Sequence, residues 1–123
     1  MTLKKSPLWK LFSQYIRQRN AKNEIATCFT CGKRAHWKEM DAGHFRHRAL
    51  TTFFDETNVQ VQCTKCNRFL HGNLGVFAIR LDEVYGQRTA KNLIKVSQKT
   101  RGALSKKEIK ELTESYKKKI ANI

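Results

Sequence analysis

Two cysteine pairs with the same spacing constrain this chain more than any other feature of its sequence. Two residues separate Cys28 from Cys31, and two separate Cys63 from Cys66. Four thiolates in two such pairs are typical of a tetrahedral zinc site, in which sulfur binds Zn²⁺ at about 2.3 Å. Four cysteines close the coordination sphere, so we expect a structural zinc; the alternative is four buried free cysteines.

The 31 residues between the two pairs, 32–62, are more than a simple zinc ribbon needs, which is about 15–20 residues. We expect a short strand over Glu39–Phe45, a loop over Thr51–Asn58 and a second strand over Val59–Gln62 that runs into Cys63. A helix that begins near Cys66 is expected to carry Asn67 and His71 on one face, because they are four residues apart. The pattern predicts a treble-clef-like core stabilised by zinc.

Helices are predicted on both sides of this core. Ser6 and Pro7 are typical of a helix start, and apolar spacing continues the helix to Arg19. Further helices are predicted over Val76–Tyr85, over Thr89–Gln98 and after a capping box that begins at Ser105. We therefore expect one α+β domain over 1–123, made of a basic N-terminal helix (1–23), a zinc-bound core (24–75) and a basic helical part (76–123).

Charge is distributed unevenly along the chain, with 25 basic and 10 acidic residues and a net charge of +15. Residues 1–23 carry +6, residues 24–86 carry +1 and residues 87–123 carry +8. Such an excess predicts a polyanionic partner, with DNA the first choice, although lysine-rich helices can also be plain solvated surface. The predicted DNA contacts, which would position the backbone without reading sequence, are Arg46, Arg48, Lys91, Lys95, Lys99 and Arg101.

Two classes of protein are disfavoured. No apolar run approaches the roughly 20 residues that a membrane span needs, and the lysines near the N-terminus are not followed by the apolar stretch of a signal peptide. We therefore expect a cytoplasmic protein with no membrane partner. A reducing compartment favours metal binding over disulfides for the four cysteines.

A resemblance to a known family rests on a small set of residues. These are the run from Asp41 to His44 (Asp-Ala-Gly-His), Asn58 just before the second strand, Asn67 directly after the second cysteine pair, and the trailing Gly72-Asn73. In this order they resemble the His-Asn-His (HNH, ββα-metal) endonucleases. The sequence looks most like phage recombination endonuclease VII and the lambdoid phage NinG (Rap) recombination family, whose N-terminal helix also carries arginines.

The resemblance implies roles for five residues. His44 would be the general base, since histidine accepts a proton near neutral pH. Asp41 and Asn67 would offer oxygen ligands to a catalytic Mg²⁺ or Mn²⁺, and His71 could be a third ligand. Asn58 would organise the loop near His44. The alternatives are purely structural roles: a packed His44, a turn-capping Asp41, a helix-capping Asn67, an ordinary loop Asn58 and a surface His71.

One geometric objection concerns Asp41 and His44. Residues three apart on a straight strand face opposite sides, and the family's acidic residue directly before the base is here Gly43. We expect a bulge or sharp twist at Gly43 to bring the two side chains together.

The predicted function is that of a metal-dependent DNA endonuclease acting on branched recombination intermediates, such as Holliday junctions and D-loops. The alternatives are a non-catalytic zinc-stabilised DNA-binding module, or an HNH nuclease for homing, restriction or packaging. A homodimer is one option, since resolving a junction requires two cuts.

Overall fold

The computed structural model describes residues 3–123; Met1 and Thr2, the first residues of the predicted N-terminal segment, lie outside the described residues. The elements are mixed helices and short strands, which agrees with the α+β prediction. In chain order they are α1 Pro7–Gln18, β1 Ile25–Thr27, β2 Arg34–His36, β3 Asp41–His44, α2 Leu50–Phe53, β4 Val59–Gln62, α3 Leu74–Tyr85, α4 Thr89–Ser97 and α5 Lys106–Ala121.

Two antiparallel pairs of strands lie at the centre of the chain. β1 pairs with β2 beside the first cysteine pair, and β3 pairs with β4. The second pairing sets Asp41 opposite Gln62 and His44 opposite Val59. Because β4 runs directly into Cys63, this pairing connects the predicted site strand to the second cysteine pair.

Helix α1 covers the β3–β4 pair. The Ser6 side chain accepts a hydrogen bond from the Trp9 backbone N–H, which caps the helix as predicted. The buried side of α1, with Leu8, Phe12 and Ile16, packs against Val59 of β4 and against α5. The ring of Phe12 meets that of Tyr116 on α5 edge to face, with centroids 5.0 Å apart.

A second apolar cluster joins α3 and α4 to the end of β3. Phe77 and Leu81 of α3 are fully buried against Leu93 of α4 and against Phe45. The last helix, α5, begins at the capping box predicted from Ser105 and Glu108. The helices on both sides of the core are therefore confirmed, to within one or two residues at their ends.

The predicted helix that begins near Cys66 is present as a single turn that carries Asn67, but its expected extension to His71 is wrong. The chain makes one wide helical turn, Lys65–Phe69, and then leaves the helix. His71 has a left-handed backbone (φ 51°), as do the following Gly72 and Asn73. Asn67 and His71 therefore do not share a helical face, and His71 is exposed.

Three smaller expectations also need correction. The first site strand is shorter than Glu39–Phe45, because Trp37–Glu39 forms a separate helical turn before β3. The expected loop Thr51–Asn58 contains most of α2. No bulge interrupts β3 at Gly43, since all four of its residues pair in continuous register with β4.

No helix among residues 3–123 is both long enough and apolar enough to span a membrane.

Candidate functional site

The four cysteines converge on one point. The sulfur atoms of Cys28, Cys31, Cys63 and Cys66 all lie within 4.8 Å of one another. Gly32 closes the first turn with a left-handed backbone (φ 81°), and its N–H donates to the Cys28 carbonyl at 3.0 Å. This set of sulfur ligands fits a structural metal ion such as zinc.

Asp41 and Asn67, which are 26 positions apart in the chain, meet in a second site. Asp41 begins β3, and Asn67 follows Cys66 in the turn that the cysteine cluster anchors. The Asn67 Nδ2 donates a hydrogen bond of 3.1 Å to Asp41 Oδ2. Both side chains line a cavity of about 560 Å³, which we call the Asp41 cavity.

Two arginines balance the charge of Asp41. Arg68 donates to both carboxylate oxygens at 3.0 Å, from Nε and Nη2. Arg17 of α1 lines the same cavity; burial lowers the pKa of its guanidinium, and the negative charge of Asp41 partly opposes that change. The carboxylate thus faces two positive groups, of which Arg68 is the more exposed, with 66% of its side chain accessible.

His44 lies at the other end of β3, in an almost fully buried position. Its ring stacks on Trp9 of α1 with centroids 5.0 Å apart and packs against Phe53 at 4.5 Å. Burial lowers the pKa of His44 to about 4, so the imidazole is neutral at pH 7. Its Nε2 lies 3.1 Å from the Phe53 carbonyl oxygen, which can only accept a hydrogen bond. Nε2 therefore carries the proton, and Nδ1 keeps a free lone pair.

Asn58 uses both ends of its buried side chain to hold the backbone around His44. Its Oδ1 accepts from the Arg46 N–H at 2.8 Å. Its Nδ2 donates to the carbonyls of Arg46 at 3.1 Å and of Thr52 at 3.0 Å. These bonds fix the backbone at Arg46 and at Thr52. Thr52 directly precedes Phe53, whose carbonyl oxygen accepts the hydrogen bond from the His44 ring.

His44 and Asp41 do not share one cavity. His44 lines a separate cavity of about 840 Å³, the His44 cavity, with Phe53 on its apolar wall. The two cavities adjoin, since Lys4 and His47 line both. The straight course of β3 explains the separation, because residues three apart on a strand point to opposite sides. His71 lines neither cavity.

Some of the predicted DNA contacts come together beside these cavities. Arg48, Lys99 and Arg101 line one cleft, with His47 at its edge. Lys91 and Lys95 lie exposed on α4. Arg46 is less available, because its Nε donates to Ser97 Oγ at 2.9 Å.

Sequence reasoning missed three residues that line the Asp41 cavity: Trp9, Arg17 and Arg68. Arg68 could have been proposed because it directly follows Asn67. Trp9 and Arg17 lie on α1, and nothing in their local pattern indicates which strand the helix covers.

The comparisons with known proteins agree on one family. The family model described as Bacteriophage Lambda NinG protein matches residues 4–123. Protein ninG of Escherichia phage 933W is 36% identical over 77 residues, which cover 59% of this chain and 35% of that protein. Protein ninG of Salmonella phage P22 is 37% identical over 76 residues, covering 58% and 34%. Protein ninG of Escherichia phage lambda is 29% identical over 113 residues, covering 89% and 52%.

These matches cover only about a third to a half of the length of the curated relatives. No solved structure matches the chain. The family model nevertheless spans nearly all of the chain, including both cysteine pairs and both cavities. The chain therefore belongs to the bacteriophage NinG family.

Proposed function

We propose that this chain is a divalent-cation-dependent DNA endonuclease of the HNH type, which hydrolyses phosphodiester bonds in branched recombination intermediates. One observation carries the proposal. Asp41 and Asn67 are brought within hydrogen-bond distance in a cavity that adjoins the His44 cavity. The β3–β4 pair, the second cysteine pair and the helical turn follow one another in the order that a treble-clef or ββα-metal core would have.

His44 would accept the proton of an attacking water through Nδ1, because the Phe53 carbonyl keeps the ring proton on Nε2. The imidazole is neutral at pH 7, and its lowered pKa makes it a weaker base than an exposed histidine. Asn58 supports this arrangement by holding the backbone on both sides of the imidazole. His44 would thus be the general base, and Asn58 its positioning residue.

The carboxylate of Asp41 and the amide oxygen of Asn67 are hard donors of the kind that Mg²⁺ and Mn²⁺ prefer. When bound there, such a cation would supply charge stabilisation for the departing 3′ oxygen. Arg68 now pairs with both oxygens of Asp41, and its exposed side chain has room to turn towards a DNA phosphate instead. His71 would have to move to reach this site.

The surface next to the cavities suits the backbone of a bent or branched DNA. Arg48, Lys99 and Arg101 line a single cleft beside His47, and α4 adds two exposed lysines. Contacts of this kind follow phosphates and groove shape rather than base sequence. Cutting both strands of a junction would also need two copies of this site, so we propose a homodimer on DNA.

A second function is favoured by the Asp41–Arg68 pair and by the burial of His44. Both features would suit a zinc-stabilised module that binds DNA without cutting it.

One assay separates the two functions. Zinc-loaded protein is given a four-way junction or a linear duplex of the same sequence, with Mg²⁺, with Mn²⁺ or with neither. We expect cation-dependent cleavage that favours the junction and that is lost in Asp41→Asn and His44→Ala. His36→Ala, which changes a histidine outside both cavities, is the control and should cut like the parent.

Other outcomes would count against the proposal. If His44→Ala cuts as fast as the parent, His44 is not the base. If the parent binds the junction and cuts nothing with either cation, the chain is a binding module. Equal cleavage of junction and duplex would exclude a preference for recombination intermediates and favour homing, restriction or packaging.

A further inference from the structure

Gln62 occupies a fully buried position on β4, directly opposite Asp41. Its Nε2 donates two hydrogen bonds, to Thr30 Oγ1 at 3.2 Å and to the Gly72 carbonyl at 2.9 Å. Its Oε1, by contrast, accepts no hydrogen bond from any residue between 3 and 123. A buried acceptor without a donor costs about 1–3 kcal/mol, so this oxygen needs a physical explanation.

The free oxygen of Gln62 faces Asn67 across Gly43. A Cβ added to Gly43 would lie 1.9 Å from Gln62 Oε1 and 2.9 Å from Asn67 Oδ1. Both oxygens are therefore directed at the same small space, which only glycine leaves open. In the present orientation of the Asn67 amide, the buried Gln62 oxygen therefore lies near another acceptor and has no donor.

The orientation of Asn67 is set by Asp41. Its Nδ2 donates to Asp41 Oδ2, which leaves Oδ1 on the side of Gly43 and Gln62. To offer Oδ1 to a cation beside Asp41, the amide must turn by half a rotation about its last bond. That rotation would carry Nδ2, a donor, to the side of the unpaired Gln62 oxygen.

We propose that Gln62 is a positioning residue, whose Oε1 accepts the Asn67 amide N–H when Asn67 turns its own oxygen towards a divalent cation. The inference rests on the proposed cation site, and it adds that Gln62 selects the orientation in which the Asn67 amide binds the cation. Hydrogen bonds to the outer side of a ligand commonly change metal affinity by about 10–100-fold.

The cysteine cluster holds Gln62 in place for this role. Thr30, which accepts from Gln62 Nε2, has its hydroxyl 3.4 Å from Cys28 Sγ. Gly72, the other acceptor, lies beyond the turn that Cys66 anchors. The amide plane of Gln62 is thus fixed from both cysteine pairs, and its oxygen stays directed at Asn67.

The first test uses the unaltered, zinc-loaded chain and solution NMR. Saturation with Mg²⁺ should strengthen the nuclear Overhauser contact between the Asn67 side-chain amide protons and the Gly43 α-protons, and should shift those amide resonances. If the Asp41 carboxyl carbon responds to Mg²⁺ but this contact does not change, the inference is overturned. If Asp41 does not respond to Mg²⁺ either, the proposed cation site itself fails.

The second test measures Mn²⁺ affinity by electron paramagnetic resonance of the free ion. Gln62→Met keeps the side-chain length without the acceptor, and should weaken Mn²⁺ binding about tenfold. Gln60→Met, at the other buried glutamine of β4, is the matched control, because Gln60 lines neither cavity. It should bind Mn²⁺ like the parent.

Repeating the Gln62→Met change in an Asn67→Asp background distinguishes positioning from general support of the fold. Aspartate has no amide to hold, so the change should weaken Mn²⁺ binding no further there. Equal weakening in both backgrounds, or by Gln60→Met, would overturn the inference. If Gln62→Met does not fold, the NMR contact in the unaltered chain decides alone.

Discussion

Tyr116 and Glu56, which lie 60 positions apart, are joined by a hydrogen bond of 2.7 Å from the tyrosine hydroxyl to Glu56 Oε2. Lys119 donates to the same oxygen at 2.7 Å, and Arg19, directly after α1, lies 3.8 Å from the other. This carboxylate thus connects α1, α5 and the segment before β4.

Replacing Glu56 by glutamine should destabilise the chain by about 1 kcal/mol at pH 7. The effect is no larger because the Glu56 side chain is partly exposed, which weakens its interactions with charged groups. Burial alone would raise the pKa of Glu56, but hydrogen bonds from Lys119 and Tyr116 outweigh it and lower the pKa. The stabilisation is therefore present above the unfolded pKa and is lost as pH falls through the folded one. Urea titrations at several pH values should show parent and E56Q converging in acid.

The control for this change is Glu83→Gln, which removes an exposed ion pair with Arg80. It should alter stability by no more than a few tenths of a kcal/mol. A loss in E83Q as large as that in E56Q would contradict the account.

Protonation of His44 should destabilise the fold in acid. Its pKa is near 4 in the folded chain because of burial, against 6.5 when unfolded, so between these values the unfolded state binds more protons. Stability from this group is complete above pH 6.5 and is lost as pH falls towards 4, by about 3 kcal/mol in total. Thermal melts of the parent and of His44→Phe should diverge over this range, with the parent losing more. Parallel curves would mean that His44 is not buried in its neutral form.

Gly43→Ala should cost about 2 kcal/mol, because the added methyl would collide with the buried Gln62 side chain and press on Asn67. The matched control is Gly75→Ala in α3, where an added Cβ meets nothing within 4 Å. That change should be neutral, or stabilising by up to about 1 kcal/mol. Denaturant unfolding measures both, and equal effects would mean that Gly43 is not crowded.

Removing the metal should abolish cooperative unfolding of the core. The small apolar cluster around β1 and β2 includes Cys28, Cys63 and Cys66, so a bound ion would join the segments that form this cluster. Metal analysis should find about one zinc per chain, and chelation should broaden the thermal transition until zinc is restored. An unchanged transition after complete chelation would refute a structural metal.

DNA binding should weaken steeply with salt, with a slope of log affinity against log salt of about −0.9 for each phosphate contact. Replacing Lys91, Lys95 and Lys99 together by alanine should reduce the slope by about 0.9 for each lysine that touches a phosphate. Lys33→Ala, an exposed lysine outside the predicted contacts, should leave it unchanged. Fluorescence anisotropy at several salt concentrations measures the slope, and a flat response would exclude the basic surface as the DNA contact.

Much of the fold was accessible from local signals in the sequence. Ser6 and Pro7 predicted the start of α1, the capping box predicted α5, and the spacing of the cysteines predicted a cluster that the structure brings together. A helix cap depends only on neighbouring residues, and four cysteines can bind a metal ion in few geometries. Both signals can therefore be recognised without knowledge of the rest of the chain.

The separation of Asp41 and His44 into two cavities could not be predicted from such local signals. The meeting of Asp41 with Asn67 follows from the cysteine cluster, but the stacking of Trp9 on His44 depends on how α1 lies across the strands. The exit of the chain from the helix before His71 depends on tertiary contacts, among them the bond from Gln62 to the Gly72 carbonyl. Gly72 and Asn73 favour a helix end on local grounds, and the structure places that end earlier, at Phe69.

The packing of α1 against α5 has a consequence for how this protein folds during its synthesis. The apolar side of α1 leaves the ribosome before Tyr116, which covers Phe12 and follows it by 104 positions in the chain. Contacts between such distant segments form slowly, because a large loop must close first. The apolar side of α1 therefore stays partly uncovered in the nascent chain until α5 has been synthesised.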